Sequence, residues 1–205
     1  MITLYGASLT RSFRALWALE EAGLPYQYIK IKLGSDGQNG GQSVEYKSIN
    51  SQGKVPTLVD EQRVITESAA ILNYIARLSP NKNLIPVDDI NHKTRYDEIC
   101  FFVLAELEQP LWTSSKHRFV LPKELRVPEI KQVTEYEFSR SINALQYYLQ
   151  NKEFAVSQQF TMADILISQT LHWAESAHFI VPDNLKNYAE RMYQRPACQR
   201  ALHKA

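Results

Sequence analysis

Residues 5–12, Tyr5-Gly-Ala-Ser8-Leu-Thr10-Arg-Ser12, gather one phenol and three hydroxyls. A β-prone apolar run from Ile2 ends at Gly6, and a helical repeat of Phe13, Leu16, Trp17 and Leu19 follows. The hydroxyls therefore stand where a strand ends and a helix begins. The first turn of a helix carries N–H groups without intrahelical acceptors and a partial positive charge, so it favours an anion. A thiolate is such an anion. Hydroxyl donors beside it would lower the pKa of a bound thiol and keep it nucleophilic. Capping is the ordinary alternative use of Ser and Thr at this place.

Three further segments carry chemistry or its support. Gly53-Lys54-Val55-Pro56-Thr57-Leu58 puts a proline near the start of a strand, which confines that strand to an edge or a bend. An edge with free backbone groups can pair with an extended peptide. A cis Val55–Pro56 bond would turn the Val55 N–H and C=O outward to meet one, and an ordinary turn is the alternative. Thr66-Glu67-Ser68 precedes an apolar helical run. Ser68 could offer its hydroxyl and N–H to a carboxylate, and Glu67 could accept from an ammonium, a pair suited to an α-amino-acid end. Thr66 or Ser68 as a plain N-cap is the alternative. Phe160-Thr161-Met-Ala-Asp164-Ile165 reads as a capping box with a hydrophobic staple, a structural device whose loss damages folding before chemistry.

The elements that must position these residues follow from pattern. Ile2–Tyr5, Tyr26–Leu33, Val55–Val59 and Arg63–Ile65 read as strands; residues 11–22 and 66–78 read as helices, with 34–41 a turn-rich loop. The first 78 residues thus read βαβ then ββα. Residues 79–89 read as a linker, and 90–110, 128–150, 161–177 and 184–203 carry helical periodicity. The expected fold is an α/β domain over 1–78 followed by an all-helical domain over 90–205. The chain has 205 residues, 44% apolar and 22% charged, with 23 basic and 22 acidic side chains, which argues against disorder and against a nucleic-acid binder. Cys100 and Cys198 have neither CxxC spacing nor clustered histidines, so no metal site or redox pair is expected. No apolar run reaches membrane-spanning length and the N-terminus does not read as a signal peptide, so a soluble cytoplasmic protein is expected.

Taken in order, these segments resemble the glutathione transferase superfamily over essentially the whole chain. The matches run from Ser12 to Tyr26, Asn50 to Leu58, Thr66 to Ile75, and over the Thr161–Asp164 box. The resemblance is to cytosolic, bacterial-type members of serine or tyrosine kind rather than cysteine kind, since the first loop holds no cysteine. It implies a thioredoxin-like domain with a cis-proline before its third strand, then a helical bundle. It implies that Val55, beside Pro56, pairs by its backbone with the cysteinyl part of glutathione. Glu67 and Ser68 would hold the γ-glutamyl end, and Lys54 and Gln52 would reach toward the glycyl end. The activating hydroxyl of serine-type members falls at Thr10 or Leu9, and the tyrosine of tyrosine-type members at Tyr5. Thr10 is taken first, then Tyr5, then Ser8.

The expected reaction uses glutathione as a substrate and no metal. An ordinary thiol has a pKa of about 8.5; lowering it by about two units, near 2.7 kcal/mol, ionises most of it at neutral pH. The thiolate would attack an electrophilic carbon or a peroxide oxygen. A second substrate is expected in the cleft between domains, with Phe101, Phe102 and Trp112 as candidate lining and core packing as the alternative. Residues 112–122, with Lys116, His117 and Arg118, read as a solvated turn that interrupts the helical half. The resemblance implies a homodimer; the balanced charge and the lack of a long apolar run argue against a nucleic-acid or membrane partner. The rival readings are a non-catalytic binding or regulatory relative and a glutathione-dependent isomerase or dehalogenase.

Overall fold

The computed structural model describes residues 1–8, 10–150 and 152–205. The chain forms two compact units, one of Met1–Ile85 with Tyr193–Ala205 and one of Pro86–Met192. The first holds a four-stranded mixed sheet of order β2-β1-β3-β4, built from β1 (Ile2–Gly6), β2 (Tyr26–Lys30), β3 (Thr57–Asp60) and β4 (Arg63–Ile65). β1 runs parallel to β2 and antiparallel to β3, and β4 closes a hairpin on β3. With α1 (Ser12–Ala22), α2 (Val44–Ile49) and α3 (Ser68–Leu78) this is the expected thioredoxin-like arrangement.

Helix α1 is enclosed rather than half-exposed. Every residue from Ser12 to Glu20 is buried, beyond the single stripe that its apolar repeat indicates. Leu16, Trp17 and Leu19 share a fully buried core with Leu4, Leu58, Ile71, Leu72 and Ile75. α1 ends where Gly23 adopts φ 67°, its N–H returning to the Leu19 carbonyl at 3.0 Å, a conformation that costs a residue with a Cβ.

The last helix also packs on α1. The repeat expected over 184–203 is two helices, α8 (Asp183–Tyr193) and α9 (Pro196–Lys204), divided where Pro196 takes the first helical position. Arg195 pairs with Glu21 at 2.6 Å, while Arg200 and Lys204 pair with Glu20 at 2.8 and 2.5 Å. Tyr193 stacks on Phe13 at 5.9 Å and edges Trp17 at 5.4 Å. These contacts group residues 193–205 with the sheet unit, whereas the sequence pattern places them with the helical domain.

The helical unit contains α4 (Ile90–Phe102), α5 (Gln109–Ser115), α6 (Ile130–Leu149), α7 (Met162–Ser176) and α8 up to Met192. Ile99, Val103, Leu107 and Leu111 are fully buried at a spacing of four. In a straight α-helix that spacing would drift by about 40° per step. A wider turn over Val103–Leu107, with Glu108 N–H reaching back five residues to the Val103 carbonyl at 2.9 Å, absorbs part of the drift. A second wide turn, Lys116–Val120, follows α5. Residues 112–120 are therefore helical, correcting the expected interruption. Leu111 and Ser115 are buried and anchor this segment despite its run of Thr and Ser. At the start of α7 the capping box is formed: Asp164 accepts from the Thr161 N–H at 2.7 Å and the Ala155 N–H at 2.8 Å, and from the Tyr188 hydroxyl. Burial raises the Asp164 carboxyl above its ordinary pKa, and these donors oppose that rise.

Candidate functional site

The end of β1 approaches the start of α1 closely. A Cβ at Gly6 would lie 2.8 Å from both Ser12 Cβ and Tyr28 Cε2, so only glycine permits the approach. Here the hydroxyls divide into two kinds. Thr10 Oγ1 lies 2.7 Å from the Ala7 carbonyl and 2.9 Å from Ser12 Oγ, while accepting the Ser12 N–H at 3.1 Å. Ser12 Oγ accepts the Ala7 N–H at 3.1 Å. A hydroxyl has one proton, so Thr10 donates to one neighbour at a time and serves the turn in either case. Ser8 is exposed, and neither its hydroxyl nor the Tyr5 phenol has a hydrogen-bond partner among the described residues. Leu9, the other candidate position for an activating residue, lies outside the described residues.

Tyr5 is paired in register with Thr57, which brings it level with the loop that enters β3. The Val55–Pro56 bond is cis. The residue before it is held from behind: the Lys54 carbonyl accepts from the Tyr46 hydroxyl at 2.6 Å and from Asn50 Nδ2 at 2.9 Å. Tyr46 and Asn50 also reach Thr57 Oγ1, each at 2.9 Å, and the Tyr46 ring lies 5.7 Å from that of Tyr5. β3 accordingly starts at Thr57, two residues later than its apolar run. Gly53, at φ 64°, passes so close to the Gly41 carbonyl that a Cβ would come within 2.4 Å. Val55 is half-buried, and its own N–H and C=O have no partner among the described residues. The side chains of Lys54 and Gln52 are exposed.

The third wall is the start of α3. Neither Thr66 nor Ser68 caps it: the N-cap position is Glu67, at φ 65° and ψ 116°, with no side-chain cap. A non-glycine residue in this conformation marks a functional constraint more often than chance placement. The Ile71 N–H reaches the Glu67 carbonyl at 3.0 Å, so the N–H groups of the first turn face outward. Ser68 is 5% exposed, and its Oγ accepts from Arg14 Nη1 at 3.2 Å. Arg14, fully buried on α1, thereby ties the start of α3 to the helix that follows β1. Sequence reading passed over Arg14, Tyr46 and Asn50 as site residues. The available signal was a guanidinium inside the otherwise apolar stretch Phe13–Leu19.

These elements carry the pattern of a known family. The glutathione S-transferase N-terminal domain model matches residues 1–77, and its C-terminal counterpart matches residues 116–196. A zeta-class glutathione S-transferase of Euphorbia esula is 30% identical over 169 residues, 80% of this chain and 71% of that protein. The chain belongs to the cytosolic glutathione S-transferase superfamily. That superfamily is enzymatic and uses glutathione as a substrate. Among solved structures, a glutathione transferase from Methylococcus capsulatus superposes with a TM-score of 0.86 at 25% identity, covering 100% of this chain and 98% of that one. A sphingomonad glutathione S-transferase complexed with glutathione superposes at 0.83, also at 25% identity, with 98% of each chain covered.

Against the transferase fold, the residues expected for a second substrate separate. Phe101 is exposed. Phe102 packs edge-on against Tyr148 at 5.0 Å, within the helical unit. Trp112 is half-buried on α5. None of the three lines the pocket that opens between the end of α5 and the end of α7. Cys100 and Cys198 are buried, and burial pushes both thiols up to about 12, so neither is a ready nucleophile. No helix among the described residues is long and apolar enough to cross a membrane.

Proposed function

We propose that this transferase binds glutathione along the Tyr5, Val55 and Ser68 walls of the sheet unit and ionises its thiol. The observation that carries this reading is the unclaimed backbone of Val55, two residues before Tyr5's sheet partner Thr57, together with the uncapped start of α3 in the same unit. The cysteinyl part of glutathione would add to Val55 as a short strand, exchanging both backbone bonds. Its γ-glutamyl carboxylate would sit on the Ser68 hydroxyl and the first N–H groups of α3, with its ammonium on Glu67. Lys54 and Gln52 would meet the glycyl carboxylate.

The thiol would then lie beside the end of β1 and the start of α1. Tyr5 becomes the preferred donor to the thiolate, with Ser8 second. Thr10 is displaced from first place because its proton and its oxygen already serve Ala7 and Ser12. The ionised sulfur attacks a small electrophilic carbon or a peroxide oxygen. We place the enzyme in the cytoplasm as a homodimer.

Calorimetric titration with glutathione tests the binding half. Ser68→Ala removes one hydrogen bond to a charged group, worth about 1.5–3 kcal/mol, and should weaken the Kd by roughly tenfold or more. An unchanged Kd would place the γ-glutamyl end elsewhere.

A further inference from the structure

We propose that Tyr46 is a positioning residue for glutathione: its hydroxyl aims the Val55 N–H and its ring seats the Tyr5 phenol. Granted the glutathione site proposed above, Tyr46 acts through two residues that meet the ligand rather than by meeting it itself.

The side chain is fixed at both ends. Tyr46 is the buried residue of α2, 3% exposed, and its N–H donates to the capping Ser43 hydroxyl at 3.1 Å. Its phenol lies 2.6 Å from the Lys54 carbonyl and 2.9 Å from Thr57 Oγ1. Two oxygens at 2.6 Å need a proton between them, and a carbonyl has none, so Tyr46 donates to Lys54. A phenol has one proton, so the Thr57 hydroxyl is left to donate to the Tyr46 oxygen. Asn50 Nδ2 then gives its two protons to the Lys54 carbonyl and to Thr57 Oγ1, each at 2.9 Å, while Asn50 Oδ1 accepts the Gln52 N–H at 3.1 Å. Every donor in this ring of groups is spent, which leaves it one orientation. Burial raises the Tyr46 phenol above its ordinary pKa, so the proton stays in place at neutral pH.

The Lys54 carbonyl and the Val55 N–H belong to one peptide group. That group is planar and trans, so its C=O and N–H point in opposite directions. Donors that draw the carbonyl toward α2 therefore turn the Val55 N–H away from it, where it has no partner among the described residues. This N–H is the donor that the cysteinyl part of glutathione would use. A peptide plane set in advance lowers the ordering cost of binding. The Tyr46 ring meanwhile lies 5.7 Å from that of Tyr5, tilted by 49°. Tyr5 is also paired in register with Thr57, the other partner of the Tyr46 hydroxyl. One side chain thus braces the binding backbone with its tip and the thiolate donor with its face.

Two substitutions separate these parts. Tyr46→Phe keeps the ring and removes the hydroxyl. It should weaken the glutathione Kd about two- to tenfold by calorimetric titration, while the thiolate absorbance of bound glutathione titrates at the parent's pH. Tyr46→Leu removes the ring as well, and should also raise that titration by about half a unit to one unit. A general loss of fold would not split the two readouts in this way. Ser68→Ala, measured alongside, reports on the glutathione site without Tyr46. A Tyr46→Phe Kd within about twofold of the parent, beside a weakened Ser68→Ala, would overturn the role of the hydroxyl and leave the glutathione site standing. A Tyr46→Leu titration at the parent's pH would overturn the role of the ring. A Kd unchanged in all three variants would remove the site and the positioning role together.

Discussion

Asp164→Ala should unfold the protein readily without touching glutathione recognition. The carboxylate is fully buried and takes four donors, the N–H groups of Thr161 and Ala155 and the hydroxyls of Thr161 and Tyr188. Alanine leaves all four without that acceptor in the interior, at about 1–3 kcal/mol each, and abolishes the capping box of α7. Partial rehydration of the site recovers some of this, so a loss of about 3–6 kcal/mol is expected, a large share of a typical folding free energy. Asp164→Asn keeps the shape but turns an amide toward donors, and should cost roughly half as much. Urea unfolding followed by far-ultraviolet circular dichroism measures both. At a temperature where the variant remains folded, its glutathione Kd should stay within about twofold of the parent, because Asp164 lies in the helical unit. A loss below about 1 kcal/mol would refute the reasoning that these four bonds nucleate α7.

Arg14 and Ser68 should behave as one unit toward glutathione. Arg14→Leu should weaken binding about as much as Ser68→Ala, and the double variant should be little worse than either, a coupling that a double-mutant titration cycle reads directly. Full additivity would detach Arg14 from the site. The clamp of α9 on α1 should be acid-labile. Burial disfavours ionised Glu20, but Lys204, Tyr26 and Arg200 outweigh it and bring its carboxyl down to about 2. Because this pKa is depressed on folding, the stabilisation is present above about pH 4.3 and is lost as pH falls toward 2. The loss should be about 2 kcal/mol, reduced for the half-exposed Arg200 and Lys204. Glu20→Gln should flatten that segment of the pH–stability curve, and an unchanged slope would show that the ion pairs contribute nothing.

Much of this organisation is legible in the sequence because local signals and tertiary demands agree. Gly23 ends α1, β4 spans Arg63–Ile65 as its pattern indicates, and the Thr161–Asp164 box starts α7. Where the two disagree, tertiary contacts win. α2 was invisible because Tyr46 is its only buried residue, and a lone anchor gives no period. The segment 112–120 has poor helix formers yet stays helical, since Leu111 and Ser115 are buried and Arg126 satisfies its last carbonyls. Residues 193–205 pack on α1 through charges at Glu20 and Glu21, which apolar periodicity cannot register. At the candidate site, the residue types pointed to a thiol-activating strand end. Which hydroxyl is free depends on hydrogen bonds between Thr10, Ala7 and Ser12, and sequence carries no record of those. Arg14 shows the same limit: its partner Ser68 is far away in the chain, so only the packing of α1 on α3 brings them together.

The central claim is that the bound thiol is ionised by a donor at the end of β1. The ultraviolet difference absorbance of the thiolate, followed across pH at saturating glutathione, tests it most directly. The account predicts a titration about two units below the free thiol's value of about 8.5. Tyr5→Phe should return it most of the way, and Thr10→Ala should move it less. A bound thiol that titrates no lower than free glutathione would contradict the claim.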